Sequence, residues 1–116
     1  MLNAAMLGLM EQLAMDIMTL TEEISETDFF ASRLTRKQTL QLLNSLVRTA
    51  SGLPQEVRER LHQIDWNSWV KLGQALARPE QHPLLVWVAI RELTPLTVQR
   101  LHDYKRNQPE LFSMAP

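Results

Sequence analysis

An all-α fold follows from two observations on the 116-residue chain. Only three glycines and six prolines punctuate it, and between them the apolar residues recur with helical period, so that no segment reads as a strand. At this length, with 45% hydrophobic residues, there is material for one domain with one core.

The first helix carries Met6, Met10, Leu13, Ile17, Leu20 and Ile24 at alternating steps of four and three, a stripe suited to packing along a partner helix. Met1, Leu2, Leu7, Leu9, Met15 and Met18 widen the apolar surface beyond that stripe, so the helix is expected to touch more than one neighbour. The expected partner or dimer surface is Met6, Met10, Leu13 and Ile17; central burial within one subunit is the competing reading. Ser25-Glu26-Thr27-Asp28 with Phe29-Phe30 reads as a capped short turn whose rings plug the core.

Thr35-x-x-Gln38 has capping-box spacing and opens a helix whose apolar face is Leu40, Leu43, Leu46, Val47 and Ala50. Gly52, ahead of Leu53-Pro54, is expected to end that helix in the left-handed position. Pro54 to Leu61 suits a short helix, Asp65 caps another from Trp66 to about Arg78, and Pro83 is pre-set for a first helical position. The long final helix should kink or break at Pro95, where an N–H is missing. The domain is placed at residues 1–106, with a frayed tail at 107–116.

Composition narrows the function classes. No cysteine is present, so thiol nucleophiles, thiolate metal sites and disulfides are excluded, and the cytoplasm is the expected compartment. The first twenty residues are apolar but contain Glu11 and Asp16, with no Lys or Arg before Arg33, and read as neither a signal peptide nor a membrane span.

Net charge is -1 but unevenly placed: residues 1–32 hold six acids and no Lys or Arg, whereas residues 33–116 hold twelve Lys or Arg against seven acids. That excess suits weak phosphate contacts, and solvated helix faces explain it equally well. His62, His82 and His102 stand far apart; no metal-ligand pattern, phosphate-cradling glycine loop or serine-nucleophile motif occurs, so neither metal nor cofactor is expected. Trp66, Trp69 and Trp87 are expected in packing rather than as stacking platforms, which need a basic groove beside them.

The order of an acidic first helix, E-T-D-F-F-A-S-R-L-T, a Leu-rich second helix, L-P-Q-E-V-R-E-R-L, I-D-W, and V-W with a proline eight residues after Trp87 resembles HEPN-domain proteins of the HepT-like toxin group. The resemblance implies an up-and-down bundle of four to five helices that forms a homodimer. It further implies metal-independent RNA cleavage by an Arg, a polar residue directly after it and a His separated from the Arg by four residues, with a Tyr two positions beyond the His that a partner nucleotidyltransferase modifies. Such chemistry needs an imidazole to move a proton and a guanidinium to neutralise charge on phosphate.

In register, Gly73 stands at the Arg position, Gln74 at the polar one, Arg78 at the His one and Glu80 at the Tyr one. Glycine brings no charge, Arg78 cannot act as a base, and Glu80 would repel phosphate. Arg78 and His82 form an alternative Arg–His pair, one residue short of the family spacing and interrupted by Pro79. The resulting expectation is a dimeric, non-catalytic interaction protein of a toxin–antitoxin or defence system, its partner a nucleotidyltransferase-like antitoxin that acts by binding. The alternatives are an altered-site ribonuclease using Arg78 and His82, and a non-catalytic RNA-binding protein.

Overall fold

The computed structural model describes residues 2–113, and among them every regular element is helical. Seven α-helical segments form: α1 (Leu2–Leu20), α2 (Glu26–Ala31), α3 (Arg33–Gly52), α4 (Gln55–Arg60), α5 (Trp66–Ala75), α6 (Pro83–Val88) and α7 (Thr94–Asn107). A π turn, Ala89–Leu93, joins α6 to α7, making one long final helix.

Four long elements stand side by side, each antiparallel to its neighbours. The start of α1 meets the end of α3, with Met6 against Gly52, while its far end shares a hollow with Gln38 and Leu42 of α3. On its other flank Glu11 reaches His102 and Lys105 of α7, and Met15 and Met18 lie across from Arg91 and Pro95. The α5 helix packs on α3 through Gly73 and Val47, and on the final helix through Trp69 and Thr97. The ring α1, α3, α5, α6–α7 therefore closes as an up-and-down bundle.

Leu7, Met10, Ala14 and Ile17 of α1 are completely buried, facing Leu43 and Leu46 of α3 and Leu101 of α7 across one core. The sequence stripe is thus consumed inside the subunit. Met10 and Ile17 have no exposed surface, which corrects their expected place on a dimer surface, while Met6 and Leu13 are half-buried against the core. A helix flanked on two sides by neighbours needs apolar side chains over a wide arc, which accounts for the breadth of its apolar surface.

The two short helices close the ends. At one end Ser25 Oγ accepts from Asp28 N–H and caps α2. Buried Phe29 meets Phe30 edge-to-face at 5.0 Å and Trp87 at 5.7 Å. Arg91 lies 4.6 Å over the Trp87 ring and donates to the Ile24 carbonyl. At the other end Val57, Leu61 and Ile64 enter the core, and Gln63 N–H donates to Tyr104 Oη at 3.0 Å.

Several local expectations need correction. The cap of α3 is Ser32, which accepts from Thr35 N–H, so Thr35 lies inside the first turn. Gly52 does not adopt a left-handed conformation. It instead lies close to α1: a Cβ there would come within 2.9 Å of Met6 Cε, the flexible end of that side chain, which would have to move aside. The left-handed residue is Glu23, with φ of 62°, in the turn after α1.

Pro95 does not break the final helix. Thr94 N–H bonds to the Ala89 carbonyl five residues back, and this wider turn takes up the space of the proline ring. In the stretch expected to be frayed, α7 runs to Asn107 and Pro109–Phe112 form a 3-10 turn whose Leu111 and Phe112 pack on the core. Residues 114–116, like Met1, lie outside the described residues.

Replacing Ile17 with Ala should lower unfolding stability by about 2–5 kcal/mol, through a cavity between α1, α3 and α7. Urea unfolding at two protein concentrations checks this. A loss that depends on concentration would place Ile17 at a subunit contact instead.

Candidate functional site

The positions that the family resemblance singles out fall on α5 and on the link to α6. Asp65 caps α5: its Oδ1 accepts from Ser68 N–H at 3.1 Å and its Oδ2 from Ser68 Oγ at 2.6 Å. Trp69, only 1% exposed, donates from Nε1 to Thr97 Oγ1 at 3.0 Å, and the Thr97 hydroxyl donates in turn to the Leu93 carbonyl. That chain of bonds fixes the rotation of α5 about its axis.

With α5 so rotated, Gly73 faces α3. A Cβ added there would lie 2.7 Å from Val47 Cγ1, far inside van der Waals contact. The position that the resemblance assigns to an arginine is therefore a helix–helix contact, where any side chain would force Val47 to move. Gln74, next to it, is exposed.

Beyond α5 the chain turns through Leu76 and Ala77 into a 3-10 turn at Pro79–Gln81, with Arg78 before it and His82 after it. Arg78, Glu80 and His82 are all exposed, and no hydrogen bond or ion pair joins any two of them. Pro79 and Pro83 impose this course, each opening a helical turn where its missing N–H is harmless. The alternative Arg78–His82 pair consequently sits on a turn rather than along one helix face.

Glu80 lines a hollow of about 430 Å³ between this turn and the start of α3, together with Phe30, Arg36, Leu40, Pro79 and Val86. Its one cation, Arg36, donates to the Phe30 carbonyl and so braces α2 against α3. Nothing in the residue pattern around Thr35 pointed to Arg36 as a brace, because its acceptor lies six residues away in another helix. A larger hollow, about 590 Å³, opens at the α4–α5 turn beside Arg58, His62, Asp65 and Trp66. There Asp65 is committed to its cap, and the Trp66 indole donates to the Arg58 and Leu61 carbonyls.

The three histidines remain apart. His102 Nε2 lies 3.1 Å from Glu11 Oε2 without hydrogen-bond geometry, while His62 and His82 are exposed. Among the described residues no group of His, Asp or Glu is placed to hold a metal ion, and no helix is long and apolar enough to cross a membrane. Trp69 lies in the core and Trp66 and Trp87 are half-buried against it. Comparison with family models, with curated proteins and with solved structures finds no match for this chain.

Gly73→Ala should destabilise by about 1–3 kcal/mol, because overpacking against the stiff, β-branched Val47 outweighs the roughly 1 kcal/mol gained in helix propensity. Adding Val47→Ala should recover part of that loss. Denaturant titration of the two single variants and the double variant reads the coupling, and a double variant weaker than the sum of the singles would contradict the close approach.

Proposed function

We propose that this chain is a HEPN-like helical protein without ribonuclease activity, which works as a dimeric interaction module of a toxin–antitoxin or defence system. One observation carries the reading: the position equivalent to the family's arginine is a glycine whose backbone lies so near Val47 that a side chain there would displace it. Cleavage without a metal needs a proton-transferring group and a phosphate-neutralising cation converging on one reacting centre. Arg78 and His82 are exposed on a proline-bounded turn and do not touch each other.

Glu80 stands where the resemblance places a modifiable tyrosine, and a carboxylate has no phenolic hydroxyl to accept a nucleotidyl group. A nucleotidyltransferase-like partner would therefore act on this protein by binding alone. Support for an interaction role comes from the surface: Leu34, Leu84 and Leu2 are 66%, 68% and 73% exposed, large apolar side chains with no cover in the single subunit.

Purified parent chain incubated with total RNA and with tRNA should leave both intact, and Arg78→Ala and His82→Ala should behave identically to it. Cleavage by the parent that both substitutions abolish would sink the non-catalytic reading and establish the altered-site ribonuclease. For the dimer, light scattering at micromolar concentration should report twice the 13.4 kDa chain mass. A species of single-chain mass across that range would refute it.

A further inference from the structure

The charge imbalance along the chain becomes a charge map once it is folded. Helices α3 and α5 are neighbours, and neither contains an Asp or a Glu. Together with the residues just after α5 they carry Arg33, Arg36, Lys37, Arg48, Lys71 and Arg78. Arg36 is committed to the Phe30 carbonyl. The other five are exposed, and none makes an ion pair or a hydrogen bond through its side chain. Elsewhere Lys105 meets Glu11, Arg60 meets Glu110 and Arg106 meets Asp103, while Arg91 donates to the Ile24 carbonyl.

Acids stand at the edges of this face, and none makes an ion pair with its cations: Asp65 caps α5 through Ser68, Glu80 follows Arg78 in the 3-10 turn, Glu26 and Asp28 precede Arg33 on α2, and Asp16 of α1 lines the hollow beside Gln38 and Gln41. At Gly73 the α5 backbone comes so near α3 that only the Val47 side chain lies between the two helices, which sets their exposed cations on neighbouring faces. These cations are interleaved with Leu34 and Val70, 66% and 45% exposed, and with the exposed amides of Gln38, Gln41 and Gln74.

We propose that the α3–α5 face is a docking surface for an acidic protein partner, recognised by carboxylates set around apolar anchors. The assignment rests on the protein-interaction reading and names the chemistry of the partner. The same positive potential would attract nucleic acid, but a strand-binding surface pairs its cations with aromatic platforms. No aromatic side chain among the described residues is exposed, and the indoles are all engaged: Trp69 with Thr97, Trp66 with two carbonyls, Trp87 beneath Arg91. Scattered cations between exposed aliphatic side chains fit a protein rim-and-anchor surface, in which charge sets encounter and orientation while apolar contact supplies affinity.

The test uses the full chain and two labelled probes of equal formal charge: an amphipathic helical Glu/Leu peptide and an oligouridylate. Fluorescence anisotropy should show saturable binding of the peptide that is tighter than that of the oligouridylate. In the double variant Arg48→Glu/Lys71→Glu peptide affinity should fall at least about tenfold, as reversal of interfacial charge does. Arg106→Glu, outside this face, should stay within about twofold of the parent, in line with the small effect of a screened, remote charge. Circular dichroism confirms that each variant is helical.

Absent peptide binding, equal losses in the two variants, or an oligouridylate bound more tightly than the peptide would each overturn the assignment, the last in favour of a nucleic-acid face. None of these touches the non-catalytic reading, which the RNA cleavage assay decides.

Discussion

Burial of one side of α1 is the constraint on which the rest of the molecule depends. Leu7, Met10, Ala14 and Ile17 are sealed between α3 and α7, and burial of a large apolar side chain is worth about 1.5–3 kcal/mol. An α1 that serves two neighbours at once forces both to run antiparallel to it. It also allows α5 to close the ring on the side away from α1. Close approach at Gly52 and Met6 then sets how α1 and α3 meet at their ends, and the short helices α2 and α4 supply Phe29 and Val57 to stop the two open ends of the core.

The candidate site inherits its geometry from that ring. Packing of α5 onto two neighbours leaves it only one free arc, and the Trp69–Thr97–Leu93 chain of hydrogen bonds settles which arc that is. Gly73 falls on the inner side and Gln74 on the outer, so adjacent positions of a single motif are separated by the wall of the bundle. Catalysis by convergent groups needs side chains held within a fraction of an ångström of productive geometry on rigid elements. Here the polar residues that follow sit on a turn flanked by prolines, while the rigid helix presents a glycine.

What was legible in the sequence is what local chemistry decides. Ser25, Asp65 and Pro83 begin helices because a hydroxyl, a carboxylate and a missing N–H each satisfy a helix start without reference to anything distant. The close approaches at Gly52 and Gly73 were opaque for the converse reason: they arise from Met6 and Val47, side chains of other helices. The α1 stripe has the same period whether it faces a neighbour within the subunit or one in a second subunit, so periodicity alone could not assign its partner. At Pro95 the sequence predicts a disturbed helix but not its form. A π turn requires that the residues before the proline keep helical contacts on the core side, and buried Ala89, Ile90 and Thr94 provide them. Arg36, Leu111 and Phe112 were missed because their roles depend on where α2 and α1 happen to pass.

The same geometry explains how a face of like charges persists on α3 and α5. Solvent and salt screen charges that stand in water, so exposed cations repel one another weakly and the fold tolerates them without carboxylates among them. Their potentials nonetheless add over the surface and act on an approaching partner. At Gly73 the two helices are separated only by the Val47 side chain, so the cations of α3 and α5 belong to adjacent faces. An amide-rich surface with Leu34 and Val70 exposed gives broad contact to a protein and little enclosure to a reacting phosphate. Gly73 is thus a point at which α5 comes close to α3, with Val47 filling the space between the two cation-bearing helices.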